Sequence, residues 1–397
     1  MNNTSLRVNR LSESATIAMA RKARELKFQG QDVISLSLGE PDFNTPEFIK
    51  DAAKEGIDQN YSKYMPVNGY LDLREAISRK FSRDNDINYT ADQIVVSTGA
   101  KQSIANVVLS CINPGDEVIV PAPFWVSYEE IIKMAEGTPV FIETSIENDF
   151  KITPSQLKNA ITDKTKMMIY SSPCNPSGSV YSKDELRSLA DVLVNYPLIT
   201  IVSDEIYEHI NFTSKYFSMG AFSDMYNQVV TVNGVSKSFA MTGWRLGYIG
   251  APIWLAKACT KIQGQFTSGT SGISQRAALE AISADPIVIN DMKIAFLKRR
   301  DFILSELKKI KGIKINKPQG AFYVFPDISS FFNKSYKDYK IKNANDLSLY
   351  LLETANVALV TGNAFGSPNC VRISYASSIE SLQIAVSRIA DSLNKLK

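Results

Sequence analysis

Leu198-Ile199-Thr200-Ile201-Val202-Ser203-Asp204-Glu205-Ile206-Tyr207 is the stretch on which the fold turns. Residues 199–203 are nearly all apolar or β-branched, the pattern of a strand buried on both faces inside a parallel sheet. The run ends in an acid, at the strand edge where open α/β sheets bind ligands. Working outward, Ser182-Lys183-Asp184-Glu185 reads as a capping box ahead of Leu186, Leu189, Ala190 and Leu193 at helical spacing. Thr153-Pro154-Ser155-Gln156 opens another helix in the same way, and Asn113-Pro114-Gly115-Asp116 stops one and turns into a strand. Residues 94–97, 117–121, 139–142, 167–171, 229–233 and 246–250 complete the strand runs. The expected fold is α/β, a large domain over 45–285 with a mostly parallel seven-stranded sheet flanked by helices. After Pro286 comes a long amphipathic stretch, then separated strands over 321–325, 357–360 and 371–375, and a terminal helix from Ser378. That pattern predicts a smaller α+β domain made of 286–397 and the N-terminal segment 1–44.

Composition narrows the chemistry. A chain of 397 residues has room for two cores, and 44% hydrophobic with 21% charged residues is ordinary for a globular protein. The net charge of +3 favours neither nucleic acid nor an anionic membrane. No apolar run reaches membrane-spanning length, and residues 1–10 lack the apolar centre of a signal peptide. Cys111, Cys174, Cys259 and Cys370 lie too far apart for a zinc motif, so a reducing cytoplasm is expected and no metal site. His209 is the only histidine, which excludes multi-histidine metal sites within one chain. The bland reading of His209, a partly buried polar residue after a strand, outweighs a catalytic triad for which no partner is evident.

Three strand ends carry polar groups suited to one ligand. Asp204 closes one strand, and Ser236-Lys237-Ser238 follows the run at 229–233, with Met241-Thr242-Gly243-Trp244-Arg245 directly after it. Ser236 and Arg245 suit an anion, the guanidinium by bidentate, charge-assisted contacts. Thr98-Gly99-Ala100-Lys101 leads from a strand into a helix whose N-terminal N–H groups are suited to a phosphate. Taken singly, a strand-end lysine is usually a solvated charge, a strand-end Asp a cap, and a Gly-Ala turn a tight connection. Together they supply an imine-forming amine, a carboxylate and a phosphate cradle, the parts that pyridoxal 5'-phosphate chemistry requires. No GxGxxG or GxxxxGK[ST] string supports a nucleotide instead.

The segment Ser236-Lys237-Ser238-Phe239-Ala240-Met241-Thr242-Gly243-Trp244-Arg245-Leu246-Gly247-Tyr248 resembles the cofactor-lysine motif of class I aminotransferases, of the fold-type I pyridoxal-phosphate superfamily. Gly39-Glu40-Pro41-Asp42-Phe43, Asn175-Pro176-Ser177-Gly178, Ser203-Asp204-Glu205-Ile206-Tyr207-Glu208 and Val371-Arg372-Ile373-Ser374-Tyr375-Ala376 match further signatures of that family in its order. The resemblance therefore spans residues 39–376, essentially the whole chain. Ser14-Ala15-Thr16, Gly99-Ala100-Lys101-Gln102 and Phe124-Trp125-Val126-Ser127-Tyr128 are similar to the bacterial aspartate aminotransferases of the second subgroup. Ser177 and Phe124 depart from the commoner Thr and Tyr without removing a functional group from the chemistry.

The resemblance implies the roles. Lys237 forms the Schiff base with pyridoxal 5'-phosphate, is displaced by substrate and shuttles the proton between Cα and C4′. Asp204 pairs with the pyridine nitrogen, Tyr207 and Asn175 hydrogen-bond the phenolic oxygen, and Trp125 stacks on the ring. Gly99, Ala100, Lys101, Ser236 and Arg245 hold the phosphate, joined by Tyr64 from the partner subunit of a homodimer. Arg372 clamps the substrate α-carboxylate, and Gly39 lies in the segment closing over it. Without the motif, Trp125 and Tyr207 read as core aromatics; Arg372, a charge in an apolar strand, demands an anion, whether a buried structural carboxylate or substrate. Lys101, with the Thr16 region, is implied to meet a distal carboxylate, although it reads equally as a solvated helix-start residue. Aspartate with 2-oxoglutarate is the first expectation, and prephenate or aromatic amino acids the second. A fold-type I lyase would share the cofactor residues. A non-catalytic regulator would need an added DNA-binding segment, and no basic stretch supplies one.

Overall fold

The computed structural model describes residues 3–397. Its centre is a seven-stranded sheet of β1 (Ile94–Ser97), β2 (Glu117–Pro121), β3 (Thr138–Ile142), β4 (Thr165–Ser171), β5 (Thr200–Asp204), β6 (Val229–Gly234) and β7 (Gly247–Gly250). The strand order is β1-β7-β6-β5-β4-β2-β3. The pairs β6/β5, β5/β4, β4/β2 and β2/β3 are parallel, whereas β7 runs antiparallel to both β6 and β1. β5 and β6 are buried at every residue, as the unbroken apolar runs require of strands covered on both faces.

The helix starts read from the sequence are present. Thr153 Oγ1 accepts from the Gln156 N–H at 3.3 Å while the Gln156 side chain accepts from the Thr153 N–H at 2.9 Å. Ser182 and Glu185 form the same reciprocal pair at 3.2 and 2.7 Å. Each cap is worth about 1 kcal/mol and fixes where its helix enters the layer beside the sheet. The terminal helix Ile379–Leu393 is capped by Ser378.

A second, three-stranded antiparallel sheet holds β8 (Tyr323–Val324), β9 (Val360–Thr361) and β10 (Val371–Ser374), with β10 in the middle. The register pairs Ser374 with Tyr323 and Val360 with Arg372. The stretch after Pro286 is a 3-10 turn followed by the helix Asn290–Leu307. A hairpin of Lys334–Tyr336 with Tyr339–Ile341 was not foreseen, nor was the strand Ile34–Ser35, which pairs in parallel with Val357–Ala358 at the start of the expected run 357–360. Among the described residues, no helix is long and apolar enough to cross a membrane.

Candidate active site

A cavity of about 270 Å³ opens where β4, β5 and β6 end and the helix Ala100–Cys111 begins. Lys237, three residues beyond β6, lines it and donates from Nζ to the Gly39 carbonyl at 2.6 Å. Burial pulls its ammonium down to about 8, Arg372 and Arg245 adding to that and Glu40 opposing it. A lysine so placed keeps a useful fraction of free amine near neutrality, which a nucleophile needs.

Across the cavity stands Asp204, the last residue of β5. Burial lifts its carboxyl to about 6; the Tyr128 hydroxyl, donating to Oδ2 at 2.6 Å, the Ile206 N–H and Lys237 pull the other way. A cation brought against Asp204 would hold it ionised.

One end of the cavity gathers a guanidinium, a hydroxyl and a helix start. Gly99 caps the helix with φ +84°, and a Cβ there would lie 2.4 Å from Arg245 Nη2, so only glycine leaves that guanidinium its place. Ala100 and Lys101 follow as the first helical residues, whose N–H groups have no carbonyl partner within the helix. Arg245 itself sits in the left-handed region at φ +57°, a strained backbone held where a guanidinium and Ser236 line the same wall.

At the other end Arg372 is 2% exposed. Nη1 donates to Asn175 Oδ1 at 2.9 Å and Nη2 to the Ser37 carbonyl at 2.6 Å. Nε has no partner, and no carboxylate pairs with this guanidinium among the described residues. The structural carboxylate that would have explained a buried arginine is not there. Gly39, Asn175, Trp125 and Thr16 line the walls between, with Lys101 Nζ held 5.0 Å above the Trp125 ring. Gly39's segment is anchored by Arg299, which holds both Asp42 oxygens at 2.6 and 2.9 Å, and by Thr45 Oγ1 bonding the Ala240 carbonyl at 2.9 Å. Tyr64 lines no part of the cavity in its own chain and is 99% exposed.

Residues 31–389 match the family model for aminotransferase class I and II. The chain is a class I and II aminotransferase. It is 45% identical over 396 residues to a bifunctional aspartate aminotransferase and glutamate/aspartate-prephenate aminotransferase of Petunia hybrida, covering 98% of this chain and 83% of that protein. An aspartate/prephenate aminotransferase of Nitrosomonas europaea is 45% identical over 98% of this chain and 99% of its own. Among solved structures, the aspartate aminotransferase of Rhizobium meliloti superposes with a TM-score of 0.96 at 38% identity, covering all of both chains. That of Thermus thermophilus with maleate gives 0.93 at 40%, over 99% of this chain and 100% of the other.

In the aminotransferase cavity, sequence reasoning gave no role to Tyr128, Tyr323, Ser171 or Thr242. Tyr128 lay within a quoted motif, three residues after Trp125 and on the helix Ser127–Met134 that Trp125 precedes, and both line the cavity. His209 lies outside the cavity, with Nε2 3.2 Å from Glu208 and 3.6 Å from Asp84, in a buried ionic cluster with Lys80.

Proposed function

We propose that this aminotransferase binds pyridoxal 5'-phosphate at Lys237 and moves the amino group of L-aspartate to 2-oxoglutarate, giving oxaloacetate and L-glutamate. The observation that carries the reading is Arg372, a buried guanidinium with an unpartnered Nε, facing the cavity that holds Lys237 and matched by no acid among the described residues. A substrate α-carboxylate completes it, bidentate and desolvated. The cofactor fits the remaining donors. The Gly99–Arg245 cradle with Ser236 and the helix start suits a dianionic phosphate, and Asp204 suits a protonated ring nitrogen. Pyridoxal 5'-phosphate supplies an aldehyde that condenses with amines and a ring that accepts the electron pair left at Cα.

The protein's own groups do the rest. Lys237 presents its free amine, then takes the proton from the substrate Cα. With the cofactor bound, Asp204 would keep the ring nitrogen protonated by its negative charge. Tyr207 and Asn175 would serve as donors to the phenolic oxygen, and Trp125 would cover the ring. Arg372 fixes the α-carboxylate, and Gly39's segment shields it from water. Lys101, with Thr16 beside it, is the cation available to a distal carboxylate. We further propose a large domain over 45–285 and a small one of 1–44 and 286–397. The enzyme acts as a homodimer in which the exposed Tyr64 reaches the partner's phosphate site, and it resides in the cytoplasm.

Prephenate is the second reading, favoured by the names of the Petunia hybrida and Nitrosomonas europaea relatives. A half-reaction decides. Aspartate alone should bleach the bound cofactor's visible band stoichiometrically and release oxaloacetate without ammonia. Ammonia release would make the enzyme a lyase, and bleaching by prephenate's amino counterpart but not aspartate would overturn the preferred substrate.

A further inference from the structure

Tyr323 opens β8, beside the strand that carries Arg372, and both its ring and its hydroxyl meet the site. Its Oη lies 2.7 Å from Tyr207 Oη, and neither hydroxyl group is exposed: Tyr323 is fully buried and Tyr207 nearly so. The Arg372 guanidinium rests 4.6 Å above the Tyr323 ring. A Cβ on residue 39 would stand 2.3 Å from the Tyr323 hydroxyl, so glycine at 39 makes the room this hydroxyl occupies. One side chain thus touches the carboxylate-binding arginine, the closing segment and the hydroxyl of Tyr207.

We propose that Tyr323 is a positioning residue that donates its hydroxyl hydrogen to Tyr207, so that the proton of Tyr207 is directed into the cavity. The inference rests on the function proposed above, in which Tyr207 donates to the cofactor's phenolic oxygen. Two buried hydroxyls at this distance share one hydrogen, and the direction of sharing matters. With Tyr323 as donor, the Tyr207 oxygen is satisfied and its own hydrogen is left for the oxygen anion. Chained donors polarise one another, each bond strengthening the next by roughly 10–30%. Arg372 over the Tyr323 ring favours this polarity, because its charge stabilises electron density drawn toward the Tyr323 oxygen.

The expected consequence is spectroscopic. The basic form of the bound cofactor leans on donation from Tyr207, so weakening that donor favours the protonated form. Tyr323→Phe keeps the ring under Arg372 and removes only the hydroxyl. The pH midpoint of the bound cofactor's visible transition should rise by roughly 0.3 unit, a twofold change in proton affinity, while the KM for aspartate stays within about twofold because the ring face is kept. Tyr207→Phe should raise the midpoint further, and adding Tyr323→Phe to it should change nothing more. The four proteins are titrated side by side with pyridoxal 5'-phosphate bound. An unmoved midpoint in Tyr323→Phe, or the same rise in the Tyr207→Phe background, overturns the proposal. If wild-type protein acquires no visible band, the proposed function fails first and takes this inference with it.

Discussion

Replacing Arg372 with Met separates binding from folding, because catalysis should fall steeply while stability barely moves. In the protein without substrate, the guanidinium loses its hydration to burial and keeps two hydrogen bonds, to Asn175 and Ser37, with Nε unpaired. Those two bonds contribute about 1.5–3 kcal/mol each. The faces of Tyr323 and Phe365, 4.6 and 5.0 Å from the guanidinium carbon, add about 2 kcal/mol in a dry site. Against this stand several kcal/mol of desolvation with no carboxylate to offset it and about 1–3 kcal/mol for the unsatisfied Nε. The terms nearly cancel, so Arg372→Met should leave stability within about 2 kcal/mol of wild type and move the Tm by less than roughly 5 °C. Catalysis has no such cancellation. Removing one partner of a buried, hydrogen-bonded charge pair costs about 2–5 kcal/mol, a drop of about 30- to 5,000-fold in kcat/KM for aspartate. Arg372→Lys keeps the charge without the fork and should fall between. Stopped-flow half-reactions beside calorimetry read both quantities, and an amine lacking an α-carboxylate should react alike with all three proteins. A loss of activity under threefold, accompanied by a Tm fall above about 10 °C, would mean that Arg372 serves the core and not the substrate.

Gly99→Ala puts a methyl against Arg245 at a backbone of φ +84° and ψ 157°, a region all but reserved for glycine, at a cost of about 1–3 kcal/mol. Pyridoxal 5'-phosphate should bind about 10- to 100-fold more weakly in titration, and unchanged affinity would remove the cradle from the account. Tyr64→Phe should weaken the same binding by about tenfold, the worth of one hydrogen bond to a charged group, in a protein that sediments as a dimer; an active monomer would contradict the shared site. Glu205, buried and facing Glu208, has its carboxyl pushed up to about 8 against an ordinary 4.5, with Ser218 and Ser203 pulling the other way. A raised folded value means that its contribution is full below pH 4.5 and is lost as pH rises through about 8. Glu205→Gln, which cannot ionise, should therefore gain Tm relative to wild type between pH 5 and 9, and a constant difference across that range would refute the assignment.

Much of this was legible in the chain because buried parallel strands write themselves as apolar runs. β5 and β6 were located within a residue, and the acid that ends one and the amine that follows the other fall on the cavity because such strand ends face the same edge. Arg372 was legible for the opposite reason, a charge set among Val371 and Ile373 that no solvent could reach. The direction of β7 was not legible: the run at 246–250 looks the same either way. Orientation is set by the connection over 235–246, which carries only the 3-10 turn Thr242–Trp244 and no crossover helix. The hairpin at 334–341 escaped because its strands are short, polar and half exposed. Tyr128 and Tyr323 escaped because a tyrosine in an apolar stretch looks like core. Their rings are indeed core; only the fold brings one hydroxyl to Asp204 and the other to Tyr207.

The most direct test of the central claim is to incubate the purified protein with pyridoxal 5'-phosphate, reduce with borohydride and map the modified peptide. The account predicts one phosphopyridoxyl group per chain, carried by the peptide containing Lys237, and none in Lys237→Ala. A label on another lysine, or no label on a folded protein, would contradict it.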